Sequence, residues 1–137
     1  MSGEKNLTKL IASMTPVLIE NEYVFGTLTN FSYENLALLN PISTFQENEG
    51  LTVVVQKEKA DQHKIAYEGV FRCITLNVHS SLDAVGLTAA VSTKLTQSNI
   101  SANVIAAYYH DHVFVAARDA ELALLKLQAL ANEFNTK

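Results

Sequence analysis

The sequence predicts an α+β fold in which a β-α-β-β-α order occurs clearly in the second half and more loosely in the first. Three observations carry that reading. Apolar residues alternate with period two over 71–78 and 100–109, and 51–56 and 112–115 are further strand-like apolar runs. Between and after those runs they fall at helical spacing, as in Leu87, Ala90, Val91 and Leu95. The two halves then repeat one pattern, a strand leading almost directly into a charged, Ala-containing helix: Leu51–Val55 into Lys57–Ala60, and His112–Val115 into Arg118–Glu121.

Taken from the N-terminus, Leu7, Leu10, Ile11 and Met14 give one side of a short helix. Two strands, Val17–Glu20 and Tyr23–Thr29, flank Asn21-Glu22. Residues 30–41 are weakly patterned and read as a loop with a helical turn. Thr44–Gln46 is a short strand, and Leu51–Gln56 a clear one entered through Glu47-Asn48-Glu49-Gly50. Lys57–His63 is a short helix leading into Ile65-Ala66. Tyr67-Glu68-Gly69 is the one plausible joint, which divides the chain into an incomplete, intertwined half at 1–67 and a second half at 68–137.

In the second half, Ile74, Leu76 and Val78 alternate with Cys73, Thr75 and Asn77, a strand with one strongly apolar face. Ser80 and Asp83 approximate a capping box, so a helix is expected to begin there and to run through Leu95. Ile100–Tyr109 reads as a strand, and His110-Asp111 as the turn of a tight hairpin into His112–Val115. Asp119 caps a last helix whose apolar side is Ala120, Ala123, Leu127, Leu130, Ala131 and Phe134. A ferredoxin-like βαββαβ unit needs one more strand than this half supplies. The first half is expected to lend it, giving pseudo-repeats with antiparallel sheets and helices on one face, because an apolar sheet edge would otherwise stay exposed.

Composition narrows the function. The 137 residues are 48% hydrophobic and 18% charged, which suits a folded core and not a disordered chain. A net charge of −4 with scattered basic residues argues against nucleic acid. No apolar run approaches the ~20 residues that span a bilayer, and the N-terminus shows no signal peptide, so a cytoplasmic protein without membrane association is expected. The single Cys73 lies in an apolar strand and reads as a buried thiol, not a nucleophile.

Signatures of catalysis are missing: no G-x-S-x-G, no phosphate-cradling glycine loop, no CxxC and no H-E-x-x-H. Glu47 and Glu49 read as a solvated turn, so no enzyme and no cofactor are expected. His110 and His112 could share a face with a metal, but a turn between them breaks the geometry and further ligands are lacking, so no metal site is expected. The segment Ser80–Gly86 opens a helix, where free N–H groups and the dipole favour a carboxylate; plain capping and packing explain it equally. Asn103 offers both a donor and an acceptor to an α-amino group, or is a solvated strand residue.

Residues 68–130 resemble the ACT domain, on the stretches Ile74-Thr75-Leu76-Asn77-Val78-His79-Ser80-Ser81-Leu82-Asp83-Ala84-Val85-Gly86-Leu87-Thr88, Ile100–Ala106 and Tyr108–Val115. Glu49-Gly50-Leu51-Thr52 is similar to the first repeat of small bacterial proteins made of two ACT-like units, which look like relatives of the ACT modules of aspartate kinases and of cytosolic arginine sensors. The resemblance implies a regulatory module whose effector, usually an amino acid, lies at an interface between two modules. By position it implies a ligand site at His79, Ser80, Ser81, Leu82, Val85, Gly86 and Leu87, with Ile100, Ala102 and Asn103. No enzyme is attached, so the expected partners are a small molecule, a second copy in a homodimer and a separate regulated protein. The alternative is a ligand-free interaction scaffold on the same fold.

Overall fold

A computed structural model of the chain describes residues 6–78 and 85–135. In chain order the elements are α1 (Leu7–Ser13), β1 (Val17–Leu28), α2 (Tyr33–Leu39), β2 (Ser43–Gln46), β3 (Leu51–Gln56), α3 (Lys57–Gln62), β4 (Phe71–Thr75), α4 (Leu87–Thr96), β5 (Asn103–Ala106), β6 (Asp111–Ala116), a 3-10 turn (Ala117–Asp119) and α5 (Ala120–Asn135). They divide into a larger unit, Met1–Glu20 with Arg72–Lys137, and a smaller one, Asn21–Phe71. The first four residues of β1 belong to the larger unit and the remainder to the smaller.

In the smaller unit the strand order is β2-β3-β1, antiparallel throughout, with Thr44 opposite Val53 and Phe25 opposite Val54. Alternation places Val53 and Val55 on one face, where they bury with Val24, Leu39, Leu51 and Ala60. The Ser32 hydroxyl accepts the Asn35 N–H at 3.1 Å and starts α2. At the end of α3, Lys64 adopts φ +58 and the Ile65 N–H reaches back to the Ala60 carbonyl at 2.9 Å, a Schellman stop with lysine where glycine is usual. The returning chain then passes so close to β1 that a Cβ on Gly26 would lie 2.6 Å from Ile65 Cγ2.

In the larger unit the order is β1-β4-β6-β5, the order of a ferredoxin-like unit whose fourth strand is the start of β1. The first half therefore does supply the strand that the second half lacks. The Thr15 N–H donates to the Leu76 carbonyl at 3.1 Å, and Arg72 donates from Nε and Nη2 to the Ile19 carbonyl at 3.2 and 2.7 Å. Ile74, Leu76, Val113 and Val115 pack in one cluster with Leu10 and Ile11 of α1, Val91 and Leu95 of α4, and Ala123 and Leu127 of α5, so all three helices lie on one sheet face. Each such aliphatic side chain contributes roughly 1.5–3 kcal/mol by leaving water. The helices are tied further by a Lys94–Glu133 ion pair at 2.5 Å and by Asn135 Nδ2 donating to the Ala12 carbonyl at 2.6 Å.

Several sequence expectations are corrected. The helix expected from Ser80 begins at Leu87, because Gly86 stands at φ +102, a left-handed conformation that a right-handed helix does not pass through. Residues 100–109 are not one strand. Asn99 at φ +60 and an Ile100 N–H to Leu95 carbonyl bond of 3.0 Å end α4 in a Schellman stop, so Ile100 belongs to the helix terminus and β5 starts at Asn103. The hairpin turn is Ala107–His110, closed by the Ala107 N–H on the His110 carbonyl at 3.0 Å, and Asp111 and His112 lie within β6. The two strands expected at 17–29 are a single twelve-residue β1, since Asn21-Glu22 continues extended. The weakly patterned 30–41 segment contains α2, and the strand expected over 71–78 stops at Thr75, before Asn77 turns to φ +46.

Candidate functional site

The candidate site grows from the end of β4. The Leu76 N–H donates to the Asp111 carbonyl at 3.0 Å; Asn77 then takes a left-handed conformation and Val78 is buried. His110 Nδ1 lies 3.4 Å from the Val78 carbonyl. Four of the expected site residues, His79, Ser80, Ser81 and Leu82, lie outside the described residues, as does Asp83. The chain is described again at Val85, whose side chain is 82% exposed, and at Gly86, the N-cap of α4.

Among the described residues no side chain caps α4, whose N-cap is Gly86. Asn6 Oδ1 accepts the Lys9 N–H at 3.1 Å at the start of α1, and Ser32 does the same for α2, whereas Gly86 has no side chain to offer. The Gly86 carbonyl accepts the Ala90 N–H at 2.9 Å, but the first N–H groups of a helix have no acceptor within it. Here they stand beside an exposed position with the positive end of the helix dipole behind them. A Cβ on Gly86 would lie 3.0 Å from Leu7 Cδ2, so α1 closes one side of this terminus.

The remaining expected residues divide by burial. Leu87 and Ile100 are buried in the core of the larger unit, and half-buried Ala102 packs against it. Asn103 is exposed at the start of β5, with Nδ2 donating to the Phe114 carbonyl at 3.3 Å. Gly86 precedes α4 and Asn103 follows it, so about 15 Å of a ten-residue helix separates the two ends. Within one unit Gly86 and Asn103 are therefore not side by side.

Alternation along β4 and β6 brings together a pair the sequence reading missed: Thr75 Oγ1 and His112 Nδ1 are 2.9 Å apart. Period-two patterning set Thr75 opposite Ile74 and Leu76, but only the strand register matches it to His112. Burial, and secondarily His110, lower the His112 pKa, opposed by Asp111. Burial raises that of Asp111, opposed by His112 and then His110. Cys73 is buried, and burial pushes its thiol up to about 11, which leaves it protonated and inert at neutral pH. Among the described residues no three His, Cys, Asp or Glu side chains gather as metal ligands. In the smaller unit, Asp61 accepts from the Tyr67 hydroxyl at 2.8 Å and from Lys57 at 3.0 Å, a solvated surface trio. No described helix is long and apolar enough to cross a membrane.

Comparison with known proteins places this geometry. ACT-domain family models match residues 2–72 and, separately, residues 68–129. The chain belongs to the ACT-domain family, whose domains are regulatory ligand-binding units, and it carries two such units in tandem. A crystal structure of a Vibrio cholerae protein of unknown function, described as a possible transport protein, is 50% identical with a TM-score of 0.83, over 93% of this chain and 97% of that one. An Agrobacterium tumefaciens protein is 17% identical, with a TM-score of 0.70 over 86% and 89%. The ligand-free regulatory subunit of aspartate kinase from Thermus thermophilus shares the fold at 11% identity and a TM-score of 0.63, over 86% and 96%. A comparison with curated proteins finds no match.

Proposed function

We propose that this protein is a non-catalytic regulatory module that binds a small molecule of the amino-acid class and passes its occupancy to a separate protein in the cytoplasm. Membership of the ACT family supports the regulatory part. The observation that carries the ligand part is the N-terminus of α4, where the N-cap Gly86 offers no side chain to the first N–H groups, beside exposed Val85. A carboxylate there replaces the missing cap and gains the dipole's attraction.

The proposed site takes the turn at His79, Ser80, Ser81 and Leu82, with Val85 and Gly86, from one module. Leu87 and Ile100, anchored in the core, hold its backbone in place. Ala102 and Asn103 come from a second copy, since α4 separates them from Gly86 within one unit. The Asn103 amide exchanges its 3.3 Å bond to the Phe114 carbonyl for one to the ligand. This arrangement makes the ligand-bound form a homodimer.

Thermal unfolding with each standard amino acid at millimolar concentration tests the reading. A true effector stabilises by about 2.7 kcal/mol at a hundredfold excess over its Kd. Val85→Glu sets a negative charge beside the carboxylate on an exposed side chain, leaves the unliganded midpoint alone and removes the ligand-induced rise. A flat midpoint across all twenty amino acids refutes the proposal.

A further inference from the structure

The tip of the β5–β6 hairpin has no role in the site above. Tyr108 and Tyr109 are 58% and 64% exposed there. Their ring centroids are 5.0 Å apart and their planes meet at 87°, so the rings form two walls of a corner. His110 follows, its ring 6.5 Å from that of Tyr109 and its Nδ1 3.4 Å from the Val78 carbonyl. The turn is closed beneath them by the Ala107–His110 backbone bond, so the corner stands on an ordered support.

Charge points to what the corner takes. Between Lys94 and Arg118 the chain has no lysine or arginine, and its one acidic residue is Asp111, two positions after Tyr109. The whole chain carries −4. An aromatic face attracts a cation within roughly 6 Å of its centroid. A cation in this corner lies within reach of two rings, with a carboxylate next along the strand and no lysine or arginine neighbour in sequence to repel it. An anionic group finds no lysine or arginine on the hairpin, whose basic side chains are His110 and His112, and a purely apolar one has only two rings to cover it.

We infer that the Tyr108–Tyr109 corner is a docking site for a partner protein that presents an exposed arginine or lysine side chain. Tyrosine and arginine are the residue types enriched at protein interfaces, which suits a tip that projects from the sheet. The site is independent of the effector turn.

The test uses the full chain with labelled tyrosine rings, observed by NMR during titration with N-acetylarginine amide. N-acetylcitrulline amide is the neutral isostere, and N-acetylglutamate amide the anionic control. The signals of Tyr108 and Tyr109 should move saturably with the arginine probe and stay still with the other two. Tyr108→Leu or Tyr109→Leu alone should weaken binding about threefold, and the pair should abolish it. Val85→Glu should leave this response intact while removing any effector response, so the two proposals fail separately. An equal response to citrulline, no response at tens of millimolar arginine probe, or a response that survives in the double variant overturns the inference. A change of oligomeric state in the double variant also overturns it, by assigning the corner to a second copy of the chain.

Discussion

At the scale of single residues, several side chains are used against their ordinary preferences. Lys64 holds φ +58 to end α3, where a β-carbon is strained and glycine is not. Lys64→Gly should stabilise the protein by about 0.5–1 kcal/mol, measured by urea unfolding. Gly86 is the opposite case: at φ +102, with Leu7 Cδ2 3.0 Å from a built Cβ, Gly86→Ala should destabilise by about 1–2 kcal/mol. His112 makes stability depend on pH. Its folded-state pKa is depressed, chiefly by burial, so above about 6.5 it is neutral in both states and incurs no penalty. As pH falls below that value the unfolded chain takes the proton first, and stability is lost until the folded-state value is passed. Melting midpoints should therefore fall below pH 6.5 more steeply in the natural protein than in His112→Gln.

At the scale of elements, long regular patterns were legible and punctuation was not. The run Leu51–Val55 forms β3, buried on both faces at Val53, Val54 and Val55, and the stripe of Ala120, Ala123, Leu127, Leu130 and Ala131 appears where its period puts it, buried along one side of α5. Phe134, placed on the same stripe, is exposed in the last turn of α5. Helix stops at Asn40, Lys64 and Asn99 use left-handed residues other than glycine, so the usual signal was missing and Ile100 was read into a strand. The start of α4 is set by the left-handed conformation of Gly86, which spacing does not reveal; the capping-box residues Ser80 and Asp83 lie outside the described residues. Of the site, residue types were legible but not distances: spacing cannot reveal that Asn103 and Gly86 occupy opposite ends of α4. The α5 assignment yields a paired test. Leu127→Ala, fully buried, should cost 2–5 kcal/mol, and Leu125→Ala, 61% exposed, should cost under 0.5 kcal/mol.

At the scale of the whole molecule, the second half completes its sheet only by taking the first residues of β1. The ties at Thr15–Leu76 and Arg72–Ile19 hold that strand in place. Arg72→Leu removes both guanidinium bonds to the Ile19 carbonyl and should destabilise by about 1–3 kcal/mol, read by denaturant unfolding. This interleaving also bears on function, because a family whose modules respond to ligands is here represented by two tandem units in 137 residues. The reading as a regulator stands or falls on occupancy of the site proposed at the N-terminus of α4. Calorimetric titration of the full chain with pooled amino acids addresses that directly. A saturable heat from at least one pool, lost in Val85→Glu, is the predicted result; no heat from any pool at millimolar concentration would contradict the account.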